Sequence, residues 1–239
     1  MFESKITEIP QAKNREKKQK KIRLSPSILS ADFGRLADQL LLLKKSGIEY
    51  VHIDVMDGLF VPNLTIGMPV VKCIRKHSDL IFDTHLMIDR PEMYAEEFIK
   101  SGSDIISFHP NVCDDCNKLI RRVKACKKKI AMALNPDEDF ETILNFIGEL
   151  DMVLVMSVYP GFGGQTLIVD TLKKAEKLRN FAINHNLSFD IQMDGGINLE
   201  NLRDVLDSGV DIVVAGSAIF DTSDIPETLS KFHEILSEY

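Results

Sequence analysis

Residues 50–58 read Tyr-Val-His-Ile-Asp-Val-Met-Asp-Gly, "YVHIDVMDG". Valine and isoleucine recur at every second position, which is the period of a β-strand. Val51, Ile53 and Val55 therefore take one face, and His52, Asp54 and Met56 take the other. Both faces look buried, because near-continuous apolar runs mark strands covered on two sides. A histidine and a carboxylate inside such a strand are costly unless they are paired or hold a metal ion. The stretch thus predicts a strand of a parallel sheet whose polar end serves a site.

The pattern outside this stretch agrees. "KIRLSPSIL", "LIFDTHLMI", "DIISFHPN", "KIAMALNP", "MVLVMSVYPGFGGQ", "SFDIQMDGGIN" and "DIVVAGSAIF" read as seven further strands. Helical patterns separate them, among them "ADFGRLADQLLLLKKSG", "RPEMYAEEFIKSG", "CDDCNKLIRRVKAC", "EDFETILNFIGE" and "VDTLKKAEKLRNFAINH". Strict alternation implies parallel strands joined by right-handed crossovers. Eight units in about 220 residues fit a single (β/α)8 TIM barrel, an α/β fold. An open doubly wound sheet would need G-x-G-x-x-G after the first strand, and "SPSILSADFG" lacks it.

The barrel domain is expected over residues 21–239. Residues 11–21, "QAKNREKKQKK", are basic and without a large apolar side chain, and residues 1–20 are expected to form a mobile arm. The whole chain of 239 residues carries a net charge of −7, which argues against nucleic acid as a partner. No apolar run reaches membrane-spanning length, and no signal-peptide stretch opens the chain. Four cysteines without a framework spacing suit a reducing compartment, so a cytoplasmic protein is expected. Cys113 and Cys116 form C-x-x-C inside a helical pattern without a second pair, and no redox or zinc role is expected of them. Cys73 and Cys126 read as helix-packing residues.

Polar residues collect where the strands end: Ser27, Asp54 with Asp57, His85, His109, Asn135, Ser157, Asp194, and Gly216 with Ser217. In a barrel those ends surround one mouth, where such enzymes carry their sites. His52, Asp54, His85 and Asp194 supply two imidazoles and two carboxylates, a donor set for Zn2+, Mn2+, Fe2+ or Co2+. His109 is placed to line the site without binding metal, and His77, His185 and His233 belong on the surface. "PGFGGQ", "DGGIN" and "AGSAIF" follow strands six, seven and eight, and glycines there let backbone N–H groups cradle a phosphate. Met56, Met87 and Met156 are expected to form an apolar wall. No G-x-S-x-G, no Walker A motif and no strand-end lysine for a Schiff base is present.

"LSPSILSADFGRL", "VHIDVMDGLFVPNLTIG", "THLMI", "MSVYPGFGGQ", "DGGIN" and "VAGSAIF" together resemble ribulose-phosphate 3-epimerase over residues 22–220. The resemblance implies a metal-dependent TIM-barrel isomerase that interconverts D-ribulose 5-phosphate and D-xylulose 5-phosphate in the pentose phosphate pathway. It implies one divalent ion, zinc or iron in most members, on His52, Asp54, His85 and Asp194. It implies that Asp54 and Asp194 are the acid/base pair, and that Ser27 and His85 contact substrate. Gly161, Phe162, Gly163 and Gly164, with Gly195, Gly196, Gly216 and Ser217, would hold substrate and phosphate. Tyr159 stands where many members carry Asn or Glu. The expected partners are a phosphorylated pentulose and further copies of the chain in a homo-oligomer, with neither nucleic acid nor membrane. The alternatives are a related ketose-phosphate epimerase such as one for allulose 6-phosphate, a decarboxylase or aldolase-like barrel, and a non-catalytic phosphosugar-binding barrel.

Overall fold

The computed structural model describes residues 21–239, and the arm expected over residues 1–20 lies outside the described residues. Eight strands are present: β1 (Arg23–Pro26), β2 (Tyr50–Met56), β3 (Ile81–Met87), β4 (Ile105–Phe108), β5 (Lys129–Leu134), β6 (Met152–Met156), β7 (Asp190–Asp194) and β8 (Ile212–Ala215). All pairings are parallel, and the order runs β1-β8-β7-β6-β5-β4-β3-β2. A parallel bridge between Ser27 and His52 brings β1 beside β2 and nearly closes the ring. The fold is a (β/α)8 TIM barrel.

Helices cover the outside: α1 (Leu36–Lys45), α2 (Met68–Arg75), α3 (Ala95–Ser101), α4 (Cys116–Ala125), α5 (Asp170–Asn184), α6 (Leu202–Asp207), α7 (Ser217–Phe220) and α8 (Ile225–Leu236). Their ends follow local chemistry. Asp115 and Asp224 cap α4 and α8 by accepting from Lys118 N–H at 2.8 Å and Glu227 N–H at 2.9 Å. α3 ends at Gly102, whose φ of 124° suits glycine. Two expectations shift. The first helix begins only at Leu36, because Ser27 and Asp32 cap two short 3-10 turns before it. "EDFETILNFIGE" forms no α-helix but two 3-10 turns, Phe140–Ile143 and Ile147–Glu149. Asn145 and Gly148 are poor helix formers, and Asp139 makes no capping bond. The turns still bury Phe140, Ile143 and Ile147.

The period-two reading of β2 holds on both faces. Val51, Ile53 and Val55 join the main core between strands and helices. Tyr50 joins Ile81, Ile105, Ala131, Met152 and Ile212 in an apolar plug inside the barrel floor. Met56 packs with Met87 and Val61 at the opposite end. The floor is thus sealed, and the strand C-termini are left as the open end. Among the described residues no helix is long and apolar enough to cross a membrane.

Candidate active site

The barrel brings His52, Asp54, His85 and Asp194 together, with one ligand atom from each lying within 4.8 Å of all the others. The register makes this possible: Asp54 pairs with His85 across β2 and β3. His52 Nε2 and His85 Nδ1 each lie 3.3 Å from Asp54 Oδ1. The same nitrogens stand 3.6 and 4.0 Å from Asp194 Oδ2. Both nitrogens are fully buried and make no hydrogen bond. Four donors converging on one point, two of them orphaned, fit a divalent transition ion. Ser27 Oγ donates to the other oxygen, Asp54 Oδ2, at 2.6 Å.

The glycine loops close around this cluster. A single pocket is lined by Ser27, Asp54, Met56, Met87, Met156, Asp194 and the loops at residues 158–165, 194–197 and 216–217. Gln165 pins the first loop by donating to Tyr159 O at 2.8 Å and Phe162 O at 2.9 Å. Asn63 ties the β2 connection to it, donating to Gly161 O at 2.8 Å. Ser157 Oγ holds the next loop through Asp194 O and Gly195 O, at 2.9 and 2.6 Å. At Gly196, φ is 67° and a Cβ would collide with the Leu167 amide and the Gln165 carbonyl, so glycine is required. Phe162 is 56% exposed at the rim.

The comparisons with known proteins decide the family. The model of the ribulose-phosphate 3 epimerase family matches residues 23–220. The chain belongs to that family. It is 40% identical over 211 residues to ribulose-phosphate 3-epimerase of Bacillus subtilis (strain 168), covering 88% of this chain and 97% of that one. It is 41% identical over 197 residues to the same-named protein of Treponema pallidum (strain Nichols), covering 82% and 90%. Among solved structures, a 3-hexulose-6-phosphate synthase superposes with a TM-score of 0.64 at 20% identity, covering 89% of this chain and 99% of that one. That likeness concerns the fold. As a member of the ribulose-phosphate 3-epimerase family the chain is an isomerase.

Within this epimerase, two side chains around the cluster escaped sequence reasoning. Asp83 is completely buried, and His52 Nδ1 donates to its Oδ2 at 2.9 Å. Gln192 Nε2 from β7 donates to the same oxygen at 2.5 Å. Asp83 thereby fixes the proton of His52 on Nδ1 and leaves Nε2 as the free lone pair. The only sequence signal was period two: Asp83 precedes His85 by two residues and shares its face. His109, read as lining the site without binding metal, is buried against His85, with its Nε2 2.9 Å from His85 Nε2. That contact leaves His85 Nδ1 toward the carboxylates. Asp57 does not touch the cluster. It accepts from Leu59 N–H and Phe60 N–H at 2.8 and 3.0 Å and from Asp89 N–H at 2.8 Å, so it joins the β2 and β3 loops.

Burial penalises every charge here, and neighbours decide the outcome. Burial works against the Asp54 carboxylate, but the charge of His52, with His85 close beside it, holds its pKa below the ordinary value. Burial, then the charge of Asp54, pushes Asp194 up to about 7. Burial opposes a charged His52, yet Asp54 and Asp83 raise its pKa well above normal. Burial lowers His85, and burial with His85 lowers His109. So many carboxylates need a positive charge among them. A proton on His52 or a divalent ion in the same place supplies it.

Proposed function

We propose that the chain interconverts D-ribulose 5-phosphate and D-xylulose 5-phosphate, using Asp54 and Asp194 as proton carriers and one divalent ion held by His52, Asp54, His85 and Asp194. The observation that carries this reading is the convergence of those four side chains beneath three glycine loops. A phosphate-binding protein without catalysis has no need of two carboxylates converging on the same point.

Inversion beside a ketone removes a proton from one face of the carbon and returns one to the other. Asp54 and Asp194 come from β2 and β7, separated around the ring, so they address a substrate from two sides. A ketone's α-proton is far less acidic than a carboxylic acid, and each unit of mismatch costs about 1.4 kcal/mol. When bound, the ion supplies positive charge against the negative charge that develops on the substrate's oxygens. Zn2+, Fe2+, Mn2+ and Co2+ all suit the donor set. Ser27 holds Asp54 through its oxygen away from the histidines, and Ser27 and His85 would contact the substrate. The loops at Gly161–Gly164, Gly195–Gly196 and Gly216–Ser217 would fix the phosphate and so place the reacting carbon. Met56, Met87 and Met156 keep that carbon dry.

The test combines metal analysis with NMR in D2O. Purified chain should carry about one divalent ion, lose turnover with a chelator, and regain it with a divalent metal. Ribulose 5-phosphate should gain deuterium at C3 as xylulose 5-phosphate appears. Faster turnover of allulose 6-phosphate in parallel would move the substrate assignment to that sugar. Full activity of a thoroughly chelated sample would remove the ion from the reading.

A further inference from the structure

We propose that Ser30 is a further substrate-binding residue, donating its hydroxyl to the phosphate of the bound sugar where two glycine loops meet. This rests on the reading that those loops hold a phosphate, and it adds a residue that the sequence did not single out.

The chemistry of the pocket creates the need. Among the described residues that line it, none is a lysine, an arginine or a histidine, while Asp54 and Asp194 are carboxylates. A phosphate monoester carries about −1.5 to −2 charges at pH 7. With no cationic side chain to meet it, the group must be held by neutral N–H and O–H donors. A hydrogen bond to an ionised acceptor is about twice as strong as one between neutral groups, so each donor counts. Most side-chain donors near the loops already have partners. Gln165 Nε2 is taken by Tyr159 O and Phe162 O, Asn63 Nδ2 by Gly161 O, and Ser157 Oγ by Asp194 O and Gly195 O. Ser30 Oγ makes no hydrogen bond to another described residue. Ser30 is half-buried and lines the pocket, so its hydroxyl is sheltered yet open to a ligand.

Its position fits the task. A Cβ on Gly216 would fall 2.8 Å from Ser30 Oγ, and a Cβ on Gly163 would fall 3.3 Å from it. One hydroxyl therefore stands against the loop after β6 and the loop after β8 at once, at two positions that carry no side chain. An anion seated on the N–H groups of these loops would have that hydroxyl beside it.

The turn that carries Ser30 is held at both ends. Ser27 Oγ accepts from Leu29 N–H at 3.2 Å, and Ser30 N–H donates to Ser27 O at 3.4 Å, closing the 3-10 turn Ile28–Ser30. Ser27 N–H donates to Ala215 O of β8 at 3.0 Å, and Ser27 Oγ donates to Asp54 Oδ2 at 2.6 Å. A single short turn thus reaches a proton carrier with Ser27 and the phosphate loops with Ser30. That fixed span favours a sugar whose phosphate lies a set distance from its reacting carbon.

The test measures binding of ribitol 5-phosphate, which has no carbonyl to enolise, and of ribitol to the purified full-length chain by titration calorimetry. The phosphate ester should bind far more tightly than ribitol. Ser30→Ala should weaken ribitol 5-phosphate by about 10–100-fold and lower kcat/KM for ribulose 5-phosphate by a similar factor. Inorganic phosphate, tested as a competitor of turnover, should weaken in parallel. Ser30→Asp, which sets a negative charge against the phosphate, should abolish measurable binding. Divalent-ion affinity, read by competition with a fluorescent chelator, should stay unchanged in both variants, because Ser30 is not in the four-residue cluster. If the original chain binds ribitol 5-phosphate no better than ribitol, the phosphate loops fail and Ser30 falls with them. If the original chain binds it tightly and either variant matches it, Ser30 alone falls. Loss for ribitol 5-phosphate without loss for inorganic phosphate would move Ser30 to the sugar hydroxyls and overturn the proposal. Loss of ion affinity in step with loss of the ester would overturn it too, since the whole site would then have been disturbed.

Discussion

The two ends of the barrel both carry charge, and they treat it in opposite ways. At the floor, Arg23 Nη2 donates to Asp190 Oδ1 at 2.9 Å and Nη1 to Tyr50 Oη at 3.1 Å, over an apolar plug. Opposite charges there face each other and are matched within the chain. At the mouth, two carboxylates and two imidazoles face one point, and the nitrogens that look inward have no hydrogen bond. Buried charge that meets its opposite within the chain holds a fold together. Buried polarity left converging and incomplete marks a place built for something from outside.

That contrast can be broken by substitution. The largest effect is expected at the mouth. Asp54→Asn and Asp194→Asn should each cut turnover by about 10²–10⁴-fold while leaving the thermal transition nearly in place. Near-normal turnover in either purified variant would end the two-carboxylate assignment. Next comes the support beneath. Asp83→Ala frees the His52 ring to take the other tautomer, and metal affinity should weaken by about 10–100-fold. Competition with a fluorescent chelator reads this directly, and an unchanged dissociation constant would make Asp83 a packing residue only.

At the floor the expected pattern reverses. Asp190→Asn leaves the Arg23 guanidinium without its counter-charge and should cost about 1–3 kcal/mol of stability in urea melts. Turnover per folded molecule should stay the same. Lost turnover with unchanged stability would erase the distinction between the two ends. The smallest effect is expected at the rim. Phe162 is more than half exposed, so Phe162→Ala should move stability by less than about 0.5 kcal/mol. A rise in KM without a fall in kcat would show that the ring covers substrate, and no change in either would exclude it.

Much of this protein was legible before folding, because its signals are local. The period of two in "YVHIDVMDG" is a property of the backbone, and it assigned the faces of β2 correctly. Alternation of strand and helix, eight times, follows from the same arithmetic. Where a reading failed, the competing effect was also local but weaker. Asn145 and Gly148 dissolved an expected helix that the apolar spacing alone had favoured. Cys73 and Cys126, read as helix-packing residues, are exposed instead, since a small side chain gives little indication of which face it occupies.

The sequence by itself determined the strands, their buried faces and the residue types gathered at their ends, because each depends on neighbours one to four positions away. Only the tertiary structure decided the rest. Asp83 stands opposite His52, and Asp54 opposite His85, by the register of two parallel strands joined through a helix. A one-residue slip would turn every one of those side chains to the other face. The meeting of Gln192 with Asp83, 109 positions apart, and of His109 with His85 needs the ring to curve. Sequence spacing carries no information about such contacts, because barrel curvature and inter-strand register fix them.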